Sequence, residues 1–181
     1  MTDLSDEVLV DRAQQELPYN SRSYQLLMQR YQPYLYRLIY ASLKDADESH
    51  DVLQEVLVRV YKSLPGFKKE SAFKTWLTAI AINRCNTRHD KIKREARFKE
   101  LWSREAADSY EHGFEEESDE FGRLITGLNY QERQILSLRF VAEMELKDIA
   151  EIAGLKLSAC KMKFYRSLEK IKARQADESL Q

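Results

Sequence analysis

Apolar residues recur at helical spacing along most of the chain, and residues 51–97 show this most clearly. Over residues 51–64 the apolar side chains fall on one arc of a helical wheel, and the polar ones fall opposite, with Val58 among them. The Pro65–Gly66 pair should end that helix. A second helix should follow, with Ser71 as its N-cap, and it begins apolar and aromatic and ends basic. The pattern therefore predicts two helices joined by a short basic loop.

Two further helical patterns precede this pair. Ser5 should cap a short first helix, and a second pattern starts near Ser21, with Pro33 predicted to kink or divide it. Residues 44–49 should form a polar turn. We therefore predict a bundle of about four helices over residues 5–97.

Residues 98–122 differ sharply in charge from what lies on either side. They hold 2 Lys and Arg against 9 Asp and Glu, whereas residues 1–97 hold 16 against 13 and residues 123–181 hold 11 against 8. Because the segment also has little apolar content, we predict a flexible acidic linker. A solvated tether is the simpler interpretation, and a nucleic-acid mimic lying in a partner's basic channel is the alternative.

Residues 123–175 contain a short helix, a glycine turn and a longer basic helix, which together indicate a helix-turn-helix. A helix ending near Gly127 should precede them. The short helix should stop at Gly154, and Ser158 should cap the basic one. One side of the basic helix should pack on the domain, and the other carries Ser158, Ala159, Lys161, Met162, Lys163, Tyr165 and Arg166. That side suits a DNA major groove, and a merely solvated basic helix is the alternative.

Composition narrows the class of protein. Only 5 Gly and 3 Pro among 181 residues, with 33% of residues charged, favour an all-α fold of two small helical domains. No apolar run is long enough to span a membrane, and the N-terminus lacks a secretion signal, so we expect a cytoplasmic chain. The two cysteines, Cys85 and Cys160, should then be reduced.

Side chains that carry catalysis or bind metals are scattered. Cys85 and His89 have metal-ligand spacing on a helix, but two ligands do not make a site, so we expect no metal and no cofactor. The sequence shows no glycine-rich phosphate loop, nucleophile motif or paired catalytic carboxylates. We therefore do not expect an enzyme.

Two blocks of sequence together resemble one known family. The first block resembles region 2 of the extracytoplasmic-function (ECF) σ factors, which form group 4 of the σ70 family. It consists of DVLQEV at 51–56, VYKSLPGF at 60–67 and SAFKTWL at 71–77 with Ile80–Asn83. Region 4 of that family is similar to residues 128–136, 148–151 and Gly154. The resemblance covers nearly the whole chain, in the right order. Residues 138–143 and 161–166 resemble the SigX-type members.

The resemblance implies an initiation factor with no chemistry of its own. Its partners would be promoter DNA, core RNA polymerase through the β′ clamp coiled coil and the β flap, and, as in many members, an anti-σ factor. Positions matching the family's β′-binding face are Asp51, Gln54, Glu55 and Val58. An apolar residue on a polar face suits the centre of an interface, although a single exposed valine is also ordinary.

The basic loop and the helix after it match the family's reader of the −10 element, where one base of an unpaired strand is turned into a pocket. The matching residues are Phe67, Lys68, Lys69, Ser71, Asn83, Arg84 and Arg88. Asn83 offers a donor and an acceptor to a base edge, and the basic residues up to Arg97 would hold the upstream duplex. Trp76 shares the apolar stripe of its helix, so we expect it in the core.

Two other functions remain open on the sequence. A stand-alone helix-turn-helix regulator would use residues 1–97 to sense a ligand or to dimerise, and would bind a palindromic operator alone. A σ mimic that titrates a regulator is the other. The turn also departs from the family pattern at Lys156, Ser158, Ala159 and Met162, which predicts a −35 preference of its own.

Overall fold

A computed structural model describes residues 4–102 and 120–178, and within those ranges every regular element is a helix. The predicted all-α fold is confirmed. The described residues cluster into two compact units, residues 4–39 with 46–102 and residues 40–45 with 120–178. No helix in the described ranges is long and apolar enough to cross a bilayer.

Four α-helices and a 3₁₀ turn contribute to the first unit. They are α1 (Asp6–Glu16), α2 (Arg22–Leu43), α3 (Ala46–Ser63), the 3₁₀ turn (Leu64–Gly66) and α4 (Phe73–Trp102). Ser5 caps α1 as predicted, since its side chain accepts a hydrogen bond from the Val8 amide. Residues fully removed from solvent include Leu27, Leu35, Leu38, Ile39, Val52, Val56, Val60, Leu77 and Ile82. The core therefore lies along the predicted apolar stripes of α2 and α3, whereas in α4 it lies along Leu77, Ala81, Ile82 and Cys85, and Trp76 of the predicted stripe is half-buried.

Two predicted helix boundaries in the first unit are wrong, and one predicted division of a helix is absent. The turn before α3 is two residues long, because Asp47 and Glu48 occupy the first helical turn, where negative charge is favourable. Pro33 lies inside α2 without dividing it. Ser71 does not cap α4, which begins at Phe73; the Ala72 carbonyl accepts the hydrogen bond from the Trp76 amide instead.

Most of the predicted acidic linker, residues 103–119, lies outside the described residues. Its described ends, 98–102 and 120–122, are helical and belong to α4 and to the first helix of the second unit.

The second unit contains α5 (Glu120–Leu124), α6 (Tyr130–Phe140), α7 (Leu146–Ile152) and α8 (Leu157–Glu178). α5 ends three residues before Gly127, earlier than predicted; Gly127 has φ +77°, which favours glycine. A capping box begins α6, in which the Asn129 side chain accepts from the Glu132 amide and the Glu132 carboxylate accepts from the Asn129 amide. Because α6 and α7 both pack against α8, the helix-turn-helix has a fixed base.

Candidate nucleic-acid interface

The basic loop joins the 3₁₀ turn to α4 and presents polar side chains outward. Lys68, Lys69 and Ser71 are exposed. Phe67, which was also predicted to contact DNA, is buried, and its ring stacks on Trp76 with centroids 4.7 Å apart. The loop therefore exposes the Lys68 ammonium and the Ser71 hydroxyl to solvent, and Phe67 packs on its inner side.

An aromatic cluster lies beneath this loop. Phe73 packs against Phe67, Trp76 and Tyr31, with centroid separations of 6.0, 5.8 and 5.4 Å. Trp76, expected in the core, is half-buried in this cluster. Such ring contacts fix the loop's inner side, because edge-to-face and stacked rings pack with defined geometry.

Sequence analysis missed Gln14, a half-buried residue of α1. Its side-chain amide donates to the Leu64 carbonyl at 3.0 Å and to the Phe67 carbonyl at 2.8 Å. Asp11, one turn earlier, pairs with Lys69. Helical spacing gives no sign of these contacts, because they join residues 50 to 58 positions apart in sequence.

Asn83 is exposed on α4, two helical turns beyond Trp76. Its backbone carbonyl accepts from the Thr87 hydroxyl at 3.0 Å. Its side-chain amide has no hydrogen-bond partner among residues 4–102 and 120–178. The amide is thus available to pair with the edge of an unstacked base.

The two arginines that follow Asn83 are engaged by α3. Arg84 pairs with Glu55, and Arg88 pairs with Glu48 and lies 2.9 Å from Glu55 and 3.7 Å from Asp51. The Arg88 side chain is only 14% exposed. The structure therefore joins residues that the sequence assigned to two surfaces, DNA-binding arginines and polymerase-binding carboxylates, in one ion-pair cluster.

Charge in this cluster is stable at neutral pH. Partial burial raises the pKa of Glu55, but hydrogen bonds from Arg84 and Arg88 outweigh it and place the net pKa below the ordinary value. Partial burial lowers the pKa of Arg88, and the carboxylates of Glu48 and Glu55 more than reverse this. Glu55 therefore stays ionised and is held in one orientation.

The remaining predicted polymerase-binding residues lie on the outer side of α3. Asp51 and Gln54 are exposed, and Val58 is 53% exposed. With half-buried Glu55 they form an anionic and polar surface around one apolar side chain. A protein interface commonly has this composition, an apolar centre with a polar rim.

The helix-turn-helix in the second unit has a glycine turn of the predicted kind. Gly154 has φ +65°, its amide donates to the Glu151 carbonyl, and the Leu155 amide donates to the Ala150 carbonyl. The prediction that Ser158 caps the next helix is wrong, because α8 begins at Leu157 and the Lys156 carbonyl accepts the first hydrogen bond, from Cys160.

α8 separates its two sides by burial. Cys160 and Phe164 are buried on the packing side, as predicted. Of the predicted DNA-binding residues, five are exposed and two are half-buried: Ser158, Lys161, Met162, Tyr165 and Arg166 in the first group, Ala159 and Lys163 in the second. Lys161 and Arg166 form no salt bridge with the described residues, so their charge is available to an anionic partner.

Among the residues that the structure describes, no three His, Cys, Asp or Glu side chains lie close enough together to hold a metal ion. Burial also raises the pKa of the Cys160 thiol, which makes it a poor nucleophile. The interfaces above are therefore the candidate functional features of the described residues.

Comparison with known proteins identifies both units. A family model described as Sigma-70 region 2 matches residues 27–96, and one described as Sigma-70, region 4 matches residues 118–171. The ECF RNA polymerase sigma-E factor of Haemophilus influenzae is 30% identical over 184 residues, which cover 93% of this chain and 94% of that protein.

Two further similarities are a sequence match to part of the chain and a match to a solved structure. The RNA polymerase sigma-H factor of Pseudomonas aeruginosa is 40% identical over 83 residues, which cover 46% of this chain but only 42% of that protein. A solved structure of the sigma factor RpoE with the anti-sigma factor NepR, from Bartonella quintana, shares the fold with a TM-score of 0.67 and 19% identity, covering 84% of this chain and 96% of that one.

The two family matches fall largely on the two structural units, one on each. The similarity to a sigma-E factor extends over 93% of the chain. The chain belongs to the ECF σ factors of the σ70 family, non-enzymatic initiation factors that direct RNA polymerase to promoters.

Proposed function

We propose that three surfaces of this chain divide the work of promoter recognition. The outer side of α3 binds the β′ clamp coiled coil, the loop 67–71 with Asn83 captures the −10 element, and α8 reads the −35 element. We assign residues 5–97 to region 2, 98–122 to the acidic linker and 123–175 to region 4, which would also meet the β flap.

One observation carries the proposal most directly: two exposed cations of α8, Lys161 and Arg166, form no salt bridge with any residue that the structure describes. Lys161 can contact phosphates, which position the helix, and Arg166 can reach guanine O6 and N7 in the major groove. Met162, which is 48% exposed, and Tyr165, which is 57% exposed, offer apolar contact to thymine methyl groups.

The −10 surface combines a free amide with a cationic loop. Asn83 can donate to and accept from a base edge, and Lys68 can hold the adjacent phosphate. Because Arg84 and Arg88 are engaged by α3, and Lys91 pairs with Glu95, we assign the contacts to the upstream duplex to other exposed basic residues farther along α4: Lys93, Arg94 and Arg97.

For polymerase binding, the ion-pair cluster holds the Glu55 carboxylate in a fixed position. Arg88 fixes Glu55, and an already ordered carboxylate loses less side-chain entropy when a partner binds. Gln54 and Val58 then complete a surface with an apolar centre.

Three finer assignments follow from the resemblance. We assign the chain to the SigX-type members on residues 138–143 and 161–166. We place it in the cytoplasm, where it would meet core polymerase. An anti-σ factor as a regulatory partner is supported by the RpoE structure, in which such a factor is bound.

Transcription from duplex promoters by core polymerase, with and without the chain, tests the proposal. Gln54→Ala should weaken core binding about tenfold without changing the fold, since truncation of a central interface residue costs on that order. Gln15→Ala, an exposed glutamine of α1, is the matched control.

Asn83→Ala tests the −10 surface separately. It should slow opening of a duplex promoter about tenfold and affect a pre-melted promoter less, because the base is then already unpaired. If Gln54→Ala and Asn83→Ala both match the wild type, the site assignments are wrong.

A further inference from the structure

We infer that α1 is a brace that holds the −10 loop in its binding conformation, and that Gln14 is the positioning residue of this brace. The inference rests on the proposed role of residues 67–71. It assigns a role in promoter opening to a helix that lies outside the residues matched by the region 2 family model, 27–96.

Gln14 spans the start of the loop with a single side chain. Its amide donates to the Leu64 carbonyl at 3.0 Å and to the Phe67 carbonyl at 2.8 Å, one on each side of the Pro65–Gly66 pair. A primary amide has two hydrogens, and here both are used on the backbone just before the exposed loop residues. Gln14 therefore fixes the direction in which the chain leaves the 3₁₀ turn.

α1 also reaches the middle of the loop. Lys69 has φ +60°, a left-handed conformation that is unfavourable for a residue with a Cβ. Asp11 pairs with the Lys69 side chain, and both side chains are about half exposed. Such an exposed pair adds little stability. It does, however, give the strained residue a partner on the same helix as Gln14.

The brace is itself anchored to the rest of the unit. Asp6, at the start of α1, accepts hydrogen bonds from the Tyr31 hydroxyl at 2.6 Å and from Arg30 at 2.8 Å. Tyr31 in turn packs edge-on against Phe73, with ring centroids 5.4 Å apart. Tyr31 therefore connects α1 to the aromatic cluster beneath the loop.

A fixed loop matters because the binding free energy gained on capturing a base must exceed the cost of extruding it. Extruding a base costs a few kcal/mol, and a loop that must also order itself on binding adds a further entropic cost. A preformed loop avoids the second cost. Loss of the brace should therefore weaken capture of the unpaired strand without changing the α3 face.

Gln14→Ala, compared with Gln15→Ala on the same helix, tests this inference. The full-length chain is used with core polymerase and a promoter taken upstream of a transcript that rises when the chain is overproduced. In Gln14→Ala we expect faster hydrogen–deuterium exchange at residues 67–72 and about tenfold slower opening of the duplex promoter, as the loss of two neutral hydrogen bonds implies. Core affinity should stay within about twofold in both variants.

Two results would overturn the brace. One is a Gln14→Ala protein that matches Gln15→Ala in loop exchange and in promoter opening. The other is loss of core affinity and promoter opening by the same factor, which would show a general structural defect. If the wild type itself opens no promoter, the proposed function fails, and loop exchange then decides on the brace alone.

Discussion

Two blocks of the sequence carry the same formal charge, but their cations are paired to different extents. Residues 1–97 and 123–181 each have an excess of 3 basic residues. In the first unit, Arg84 and Arg88 are paired with carboxylates of α3, whereas in the second, Lys161 and Arg166 of α8 form no salt bridge with the described residues. Net charge therefore does not show which cations are open to a partner, because that also depends on which of them are already paired with carboxylates.

The difference suits two kinds of recognition. An ordered ion-pair cluster presents carboxylates at fixed positions, which favours docking on a protein surface. Unpaired cations on an exposed helix favour a polyanion, and such binding weakens as salt rises because bound counterions are released. We expect the exposed cations of α8, together with those near the end of α4, to carry most of the salt dependence of promoter binding.

Among the substitutions that test this difference between the two units, Arg166→Ala should have the largest effect, a loss of promoter affinity. Loss of a base-reading arginine should lower promoter affinity of the holoenzyme about thirtyfold, close to 2 kcal/mol, and relax preference at one position of the −35 element. Quantitative binding on wild-type and single-substituted −35 duplexes measures it. Arg12→Ala, an exposed arginine of α1, serves as the control.

Arg88→Ala should have an intermediate effect, on the other unit. Removing this guanidinium takes one ion-pair partner from Glu48 and one from Glu55, which keeps its pair with Arg84. We expect a loss of about 1–2 kcal/mol in unfolding free energy, since the carboxylates are partly solvated. Core affinity should fall severalfold with it. Denaturant unfolding and core-binding titrations check both effects.

Arg22→Ala is the control for Arg88→Ala, because Arg22 is an exposed arginine of the same unit and belongs to none of the proposed surfaces. If Arg88→Ala weakened DNA binding alone and left core affinity intact, the pairing in the structure would not describe how Arg88 works.

The smallest expected effect concerns pH and Glu132, whose side chain is 10% exposed. Partial burial raises the pKa of Glu132, but hydrogen bonds from Lys170 and from the Asn129 amide lower it by more. The net pKa of Glu132 therefore lies below its ordinary value of 4.5. The folded pKa therefore lies below the unfolded one, so this stabilisation is present above pH 4.5 and is lost as pH falls through the folded pKa.

Glu132→Gln should consequently be less stable than the wild type by about 1 kcal/mol at neutral pH, and the difference should shrink as pH falls from 5 to 3. Urea unfolding of both full-length proteins, followed by circular dichroism, measures the difference. A constant difference across this pH range would show that the charge of Glu132 contributes nothing.

Sequence periodicity predicts the local features well and the long-range contacts poorly. The apolar stripes of α2 and α3 and the glycine turn before α8 follow from spacing and backbone preference, and the structure confirms them. The cluster around Arg88 joins residues 33 to 40 positions apart, and Gln14 meets a loop more than 50 residues away. No helical wheel contains such pairs, since each wheel treats one helix alone.

Footprinting of one promoter with the chain alone, core polymerase alone and both together tests the central claim most directly. We predict two protected blocks, at the −35 and −10 elements, and permanganate-reactive thymines near the −10 element, only when both proteins are present. Protection of a palindromic site by the chain alone, with no effect of polymerase, would contradict the claim.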